Sequence, residues 1–276
     1  MKKRTWLITG ISSGLGKALA QHVMDKGDFV IGTFRKQEQV DAFNNQQENG
    51  YAIKLDITKE DQIEEAVRAV FDKFGQIDIL VNNAGVGFIG AIEETSLQEV
   101  RSVFEANFFG TLKLTQSVLP FMRKVRKGHI IQISSHGGIK AFAGFGIYNA
   151  SKFALEGFSE ALTQEVAPLG IKVSIVEPGP FRTNFAGERL GEAKNSIADY
   201  SETAGAFRTK LRSVDGKQEG DPEKAAEAIF ELSNSENPAL RLPLGKVALM
   251  TIGMKIDSVK ADLEASRGIA EGAVYE

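Results

Sequence analysis

Tyr148 and Lys152 stand four residues apart, a spacing that puts both side chains on one face of a helix. A free tyrosine has a pKa of about 10 and exchanges protons poorly at neutral pH. An ammonium beside it favours the phenolate. Bringing the phenol toward neutrality takes about 3 units, roughly 4 kcal/mol. The pair is thus suited to passing a proton to or from a substrate oxygen. Tyr-x-x-x-Lys also recurs by chance on helix surfaces, so its surroundings decide. Ser134-Ser135 closes the apolar run Ile130-Ile131-Gln132-Ile133, and a serine hydroxyl there can hydrogen-bond a substrate oxygen as charge develops. Asn82-Asn83-Ala84-Gly85 closes the run Ile79-Leu80-Val81, where Asn83 has the plainer alternative of satisfying backbone groups between strands. His136 follows the serine and either lines a pocket or borders a loop.

A second cluster lies near the start of the chain. Thr9-Gly10-Ile11-Ser12-Ser13-Gly14-Leu15-Gly16 joins an apolar strand pattern to a helical one. Gly10 permits a tight turn, Gly14 lets a pyrophosphate approach the backbone, and Gly16 lets the helix pack close to the sheet. The helix N-terminus adds free N–H groups and partial positive charge. An ordinary Gly/Ser turn is the plainer reading, but a position at the first strand-to-helix junction favours a dinucleotide site. The second strand ends in Thr33-Phe34-Arg35-Lys36, with no carboxylate between Phe29 and Gln37. NAD-preferring sites place an acid there, whereas a guanidinium suits the 2′-phosphate of NADP. NADP(H) is therefore expected over NAD(H), unless Arg35 and Lys36 are simply solvated loop charges.

Elements must carry these residues to one place. Trp6–Thr9, Phe29–Thr33, Ala52–Leu55, Ile79–Val81, Ile130–Ile133 and Lys172–Val176 read as six strands. Helical stretches alternate with them. Leu15, Leu19 and Val23 form a stripe that Gly27 ends, Thr58 reads as the N-cap of a helix running to about Phe74, and Ser96 with Glu99 reads as a capping box. A further helix spans about Tyr148 to Val166. Such alternation predicts an α/β fold, a doubly wound parallel sheet in a single Rossmann-type domain with helices on both faces. Residues 184–220 are polar and weakly periodic and read as a substrate-binding loop or lid. Asp221-Pro222 restarts a helix, and residues 245–276 form a tail with a helix from Lys255 to about Arg267.

The 276 residues contain 42% hydrophobic and 25% charged side chains, enough for an ordinary core. A net charge of −3 offers nothing to recruit a nucleic-acid backbone. Cysteine is absent and the histidines are only His22, His129 and His136, so no metal site is expected. The basic start Met1-Lys2-Lys3-Arg4 precedes only Trp6-Leu7-Ile8, too short for a signal-peptide core, and no stretch approaches a membrane span. A cytoplasmic protein is expected.

Taken together, Thr9–Gly16, Asn82–Gly85, Ser135, Tyr148-x-x-x-Lys152 and Pro178-Gly179 resemble the short-chain dehydrogenase/reductase family, over at least residues 5–183 and in the expected order. The resemblance implies an oxidoreductase acting on CH–OH groups, interconverting a ketone or aldehyde and an alcohol. Tyr148 would be the general acid or base, and Ser135, at the family's spacing before the tyrosine, would polarise the substrate oxygen. Lys152 would hold the nicotinamide ribose and, with the oxidised ring, lower the tyrosine pKa. Asn107, in Glu105-Ala106-Asn107-Phe108-Phe109-Gly110, would anchor a water leading protons to solvent. Asp56-Ile57 would contact adenine, Asn83, Ala84 and Gly85 would line the cofactor, and Pro178, Gly179 and Thr183 would grip the nicotinamide amide. One departure is Ser13, where many NADP-using relatives carry a basic residue, so NADP rests on Arg35 and its neighbours. A non-catalytic dinucleotide-sensing regulator is the alternative; the intact catalytic positions argue against it. Epimerisation or dehydration on the same fold would want a nucleotide-sugar site, which is not seen. Phe88, Phe142, Phe145, Phe181 and Phe185 suit a hydrophobic carbonyl or alcohol substrate, or plain core and lid packing. A homodimer or homotetramer, built on the helices of Asn107 and Tyr148, is expected.

Overall fold

A computed structural model describes residues 3–185, 187 and 190–275; Met1, Lys2, Ala186, Glu188, Arg189 and Glu276 lie outside the described residues. In chain order, β1 (Thr5–Ile8), α1 (Gly14–Asp25), β2 (Phe29–Phe34), α2 (Gln37–Gln46), β3 (Gly50–Lys54), α3 (Glu60–Phe74) and β4 (Ile79–Asn82) make the first half. Then come β5 (Phe88–Ile89), α4 (Leu97–Phe104), a π-turn (Glu105–Phe109), α5 (Gly110–Val125), β6 (Gly128–Ile133), α6 (Gly146–Val166) and β7 (Ile171–Pro178). The last stretch holds β8 (Gly191–Glu192), α7 (Ala206–Ser213), α8 (Pro222–Asn234), β9 (Arg241–Leu244) and α9 (Lys246–Glu271).

Seven strands pair in the order β3-β2-β1-β4-β6-β7-β9, every neighbour parallel. Successive residues face opposite sides of the sheet. Trp6 and Ile8 therefore enter a core with α1 and α8, through Leu19, Val23 and Ile229. Leu7 enters a second core on the other face, with Val67 of α3, Leu114 and Val118 of α5 and Leu162 of α6. Strands buried on both faces explain the near-continuous apolar runs.

The sheet is the doubly wound one the alternation predicts, with one strand more. β9 pairs with β7, Ile175 opposite Arg241, as an edge strand. Its sequence Arg-Leu-Pro-Leu hides it, since proline is confined to edges and strand starts. α2 also lies outside the sequence reading, because Val40 is its only buried residue and it has no apolar stripe. Thr58 does not cap α3: Lys59 holds that position, and the Thr58 hydroxyl donates instead to Asp56 at 2.8 Å. The capping box does form, as does the Asp221 cap with Pro222 behind it. Residues 190–220, within the stretch expected as a loop or lid, contain β8, which pairs with β5, a 3-10 turn (Ala198–Tyr200), a π-turn (Ser201–Gly205) and α7. The final helix begins nine residues earlier than the sequence indicates, at Lys246. Among the described residues, no helix is long and apolar enough to cross a membrane, and no cluster of three or more acidic or histidine side chains could hold a metal.

Candidate active site

β1 is flanked by β2 on one side and β4 on the other, which makes the gap between β1 and β4 the point where the strand order reverses. Ligands of open α/β sheets bind outside the strand ends at such a point. The glycine turn leaves β1 there and Asn83–Gly85 leaves β4. Gly10 and Gly14 have φ of +71° and +59°, which only glycine adopts without cost. A Cβ on Gly16 would lie 2.3 Å from Asn83 Nδ2, so its absence brings α1 against the strand ends. Asn83 Nδ2 donates to the carbonyls of Thr9 (2.8 Å) and Gly10 (3.2 Å). Thr9 Oγ1 accepts from the N–H groups of Asn83 and Ala84, each at 2.9 Å. Asn83 thus does satisfy backbone groups, and by doing so it fixes the turn. Ser13 caps α1 in extended conformation, Ser12 is half-buried, and Leu15 packs on the first core.

The other expected cofactor contacts ring this crevice. Arg35, exposed, follows β2. Asp56 follows β3, its carboxylate accepting from Thr58, with Ile57 buried beside it. Pro178 ends β7, and the Gly179 N–H donates to Leu244 of β9 at 2.9 Å. Thr183 reaches back over the glycine turn, its Cβ 3.3 Å from where a Cβ on Gly14 would sit. Open glycine backbone, a helix N-terminus and a nearby cation fit a dinucleotide.

Tyr148 and Lys152 project from the first turns of α6, 5% exposed each. Lys152 Nζ lies 6.0 Å from the tyrosine ring centroid and donates to the carbonyl of Ile133, at the end of β6, at 2.9 Å. Ser135 is buried after the same strand, and its Oγ accepts from the Gly137 N–H at 3.0 Å. Burial pushes the tyrosine up to about 12, against the pull of Ser135, and pushes Lys152 down to about 8, against the pull of Glu156. Among the protein's own groups, desolvation is the larger influence on both side chains.

Asn107 sits in the π-turn between α4 and α5, 1% exposed. Such turns insert an extra residue into a helix and recur at functional sites. Its Oδ1 accepts from the Val86 N–H at 2.8 Å, and its Nδ2 donates to the Val86 carbonyl and to Ser151 Oγ, both at 3.0 Å. Asn107 therefore clamps the segment after β4 onto α6, beside Lys152.

The aromatic reading divides. Phe145 stacks on Tyr148 (centroids 4.4 Å) and Phe185 meets it edge-on (5.5 Å). Phe142 packs in the same cluster, joined by Leu190, Phe207 and Leu211. Phe88 instead packs with Val103 and Ala193, and Phe181 belongs to the first core. Phe207 and Leu211, absent from the sequence reading, carry a faint signal: two apolar residues one turn apart in a polar stretch. His136 borders the site, its Nδ1 2.9 Å from Thr251 Oγ1 of α9. Behind the site, Arg241 of β9 lies 3.3 Å from Glu156 of α6 and 3.1 Å from Glu177 of β7, both carboxylates buried.

Comparison with known proteins agrees with this geometry. The model of a family described as short chain dehydrogenase matches residues 4–193. A 3-ketodihydrosphingosine reductase of Bacteroides thetaiotaomicron is 38% identical over 251 residues, 89% of either chain. The crystal structure of a short-chain dehydrogenase from Streptomyces avermitilis superposes with a TM-score of 0.93 at 42% identity, over 99% of this chain and 100% of that one. The structure of ElxO with NADP bound superposes at 0.75 with 28% identity, over 90% and 99%. The crevice between β1 and β4, the buried tyrosine beside it and these matches along nearly the whole length have one explanation: the chain belongs to the short-chain dehydrogenase family.

Proposed function

We propose that this family member is an NADP(H)-dependent oxidoreductase that interconverts an apolar ketone or aldehyde and its alcohol, with Tyr148 as the proton-transfer group. The observation that carries the reading is the buried Ser135–Tyr148–Lys152 group at the strand ends, with only β4 between β6 and the strand that leads into the glycine turn. When bound, the reduced nicotinamide supplies a hydride. In reduction Tyr148, held protonated by burial, gives its proton to the carbonyl oxygen, and in oxidation it takes one from the alcohol. Ser135 donates a hydrogen bond to that oxygen as it gains charge. Lys152 places a cation behind the tyrosine, and Asn107 keeps the segment after β4 seated against it. Arg35 supports NADP, as does the bound cofactor of the ElxO relative. Phe142, Phe145, Leu190, Phe207 and Leu211 form a cover suited to an apolar substrate, and the sphingoid-base reductase among the relatives acts on a substrate of that class by its name.

The test is a fluorescence titration with NADPH and NADH, followed by turnover on a panel of aldehydes and ketones. The parent is expected to bind NADPH more tightly and to turn over apolar carbonyls. Tyr148→Phe is expected to keep NADPH affinity and lose at least about 100-fold in turnover. Arg35→Asp is expected to weaken NADPH and spare NADH. Tight binding without turnover on any carbonyl would favour a dinucleotide sensor, and equal turnover in Tyr148→Phe would remove the tyrosine's role.

A further inference from the structure

α7 carries two pairs of residues, each pair one turn apart. Phe207 and Leu211 enter the cluster around Tyr148; the Phe207 ring lies 5.5 Å from that of Phe145, which stacks on the tyrosine. Arg208 and Arg212 face carboxylates instead. Every residue of α7 is exposed or half-buried, so apolar packing alone holds this short helix weakly. Glu94 supplies a firmer tie. It stands in the turn between β5 and α4 and is only 4% exposed. Its Oε1 accepts from the Ile197 N–H at 2.9 Å, and its Oε2 accepts from the Ala91 N–H at 2.8 Å and from Arg208 Nη2 at 3.2 Å. One buried carboxylate thus anchors the stretch over Tyr148 at two points, ahead of the 3-10 turn and within α7. Arg208 also lies 3.0 Å from Glu192 of β8, and β8 pairs with β5, whose Ile89 belongs to the same cluster as Tyr148.

We propose that Glu94 and Arg208 are positioning residues that set the size of substrate the site accepts, by fixing how far Phe207 and Leu211 stand from Tyr148. This rests on the reading that an apolar carbonyl binds beside Tyr148 under that cover. A guanidinium shared between two carboxylates has a defined place and orientation. Removing either member of the Glu94–Arg208 pair leaves the other charge without its partner in a site that water reaches poorly. α7 then shifts outward so that the charge is solvated, and Phe207 and Leu211 move with it. A small ketone loses its close walls, and a bulky one gains room. A merely structural role would instead lower stability and turnover alike for every substrate.

The test compares the parent with its variants on methyl ketones from 2-butanone to 2-acetylnaphthalene, at saturating NADPH. Arg208→Met keeps an unbranched side chain and loses the charge. In it, kcat/KM for the bulkiest ketone relative to the smallest is expected to rise about 10-fold, the low end of what pocket shape discriminates, mainly through KM and with NADPH affinity unchanged. Glu94→Gln is expected to shift the ratio in the same direction. Arg208→Lys keeps the charge but not the planar fork, and is expected to fall between the parent and Arg208→Met. Arg212→Met removes only an exposed ion pair with Glu192 and is expected to keep the parent's ratio. Should Arg208→Met not fold, Arg208→Lys and Glu94→Gln carry the same comparison. A parental ratio in the folded variants, a loss of kcat equal for all ketones, or an equal shift in Arg212→Met overturns the inference and leaves the proposed function standing. A parent that turns over none of these ketones removes the apolar-substrate reading, and this inference with it.

Discussion

Glu177 has no exposed surface and sits beside a second buried carboxylate, Glu156, with Arg241 as their shared cation. Burial, and then the neighbouring Glu156, raise Glu177 from 4.5 to about 7; Arg241 pulls the other way. The folded chain therefore holds this proton more tightly than the unfolded chain. The stability it contributes is complete below pH 4.5 and is lost as pH rises through about 7. A shift of this size corresponds to about 3 kcal/mol. Glu177→Gln mimics the protonated form at every pH. Its Tm relative to the parent should rise by several degrees between mildly acidic and mildly alkaline buffer, at roughly 2–4 °C per kcal/mol for a chain of this size; a constant difference would show that Glu177 does not titrate there. At this scale legibility followed local signals. Tyr148, Lys152, Ser135 and Asn83 stand where a helix starts or an apolar strand stops, and all are found at the strand ends of the sheet. The acid pair was invisible, because Glu156, Glu177 and Arg241 come from three elements whose adjacency only the sheet order determines.

The junction between β1 and α1 shows how an element fixes the site. Gly16 is needed for space, since its missing Cβ would meet both Asn83 Nδ2 and the Gly10 carbonyl, the latter at 2.7 Å. Gly27 is needed for backbone alone: its φ is +87° and a Cβ there would meet nothing within 4 Å. Gly16→Ala should therefore push Asn83 from the turn, costing about 1–3 kcal/mol as an overpacked contact and weakening NADPH binding with it. Gly27→Ala should cost about 1 kcal/mol through its left-handed backbone and leave NADPH affinity alone. Thermal unfolding and cofactor titration of both variants separate the two, and equal cofactor affinities would detach the close packing from the binding. The spacing of the glycines made this turn readable. By contrast, α2 and α7 bury too few apolar residues to leave a period, and β9 carries a proline. Thr58 shows the limit of capping signals, because Asp56 competes for its hydroxyl.

Across the whole molecule, the sheet buries polar groups that link folding to pH in the opposite sense from Glu177. His129 lies in β6, 5% exposed, its Nε2 3.0 Å from Ser174 Oγ of β7. Burial first, then the charges of Lys172 and Arg4, lower it from 6.5 to about 4. The folded chain keeps this imidazole neutral while the unfolded chain takes up a proton. Its stabilisation is present above pH 6.5 and is lost as pH falls toward about 4. His136 is lowered by burial to about 4 as well, at the contact between the turn after Ser135 and α9. Acid should therefore weaken the sheet centre and the hold on α9 together, while protonation of Glu177 offsets part of the loss. Substituting His129 isolates its share. His129→Gln keeps a group able to bond Ser174 but cannot charge. The difference in urea unfolding free energy between the parent and this variant should shrink by about 2 kcal/mol from about pH 7.5 to about pH 5, as the parent alone pays for the protonated unfolded state. A difference that stays level would mean that His129 titrates in the folded chain as it does in the unfolded one, and that the acid sensitivity of the fold lies elsewhere.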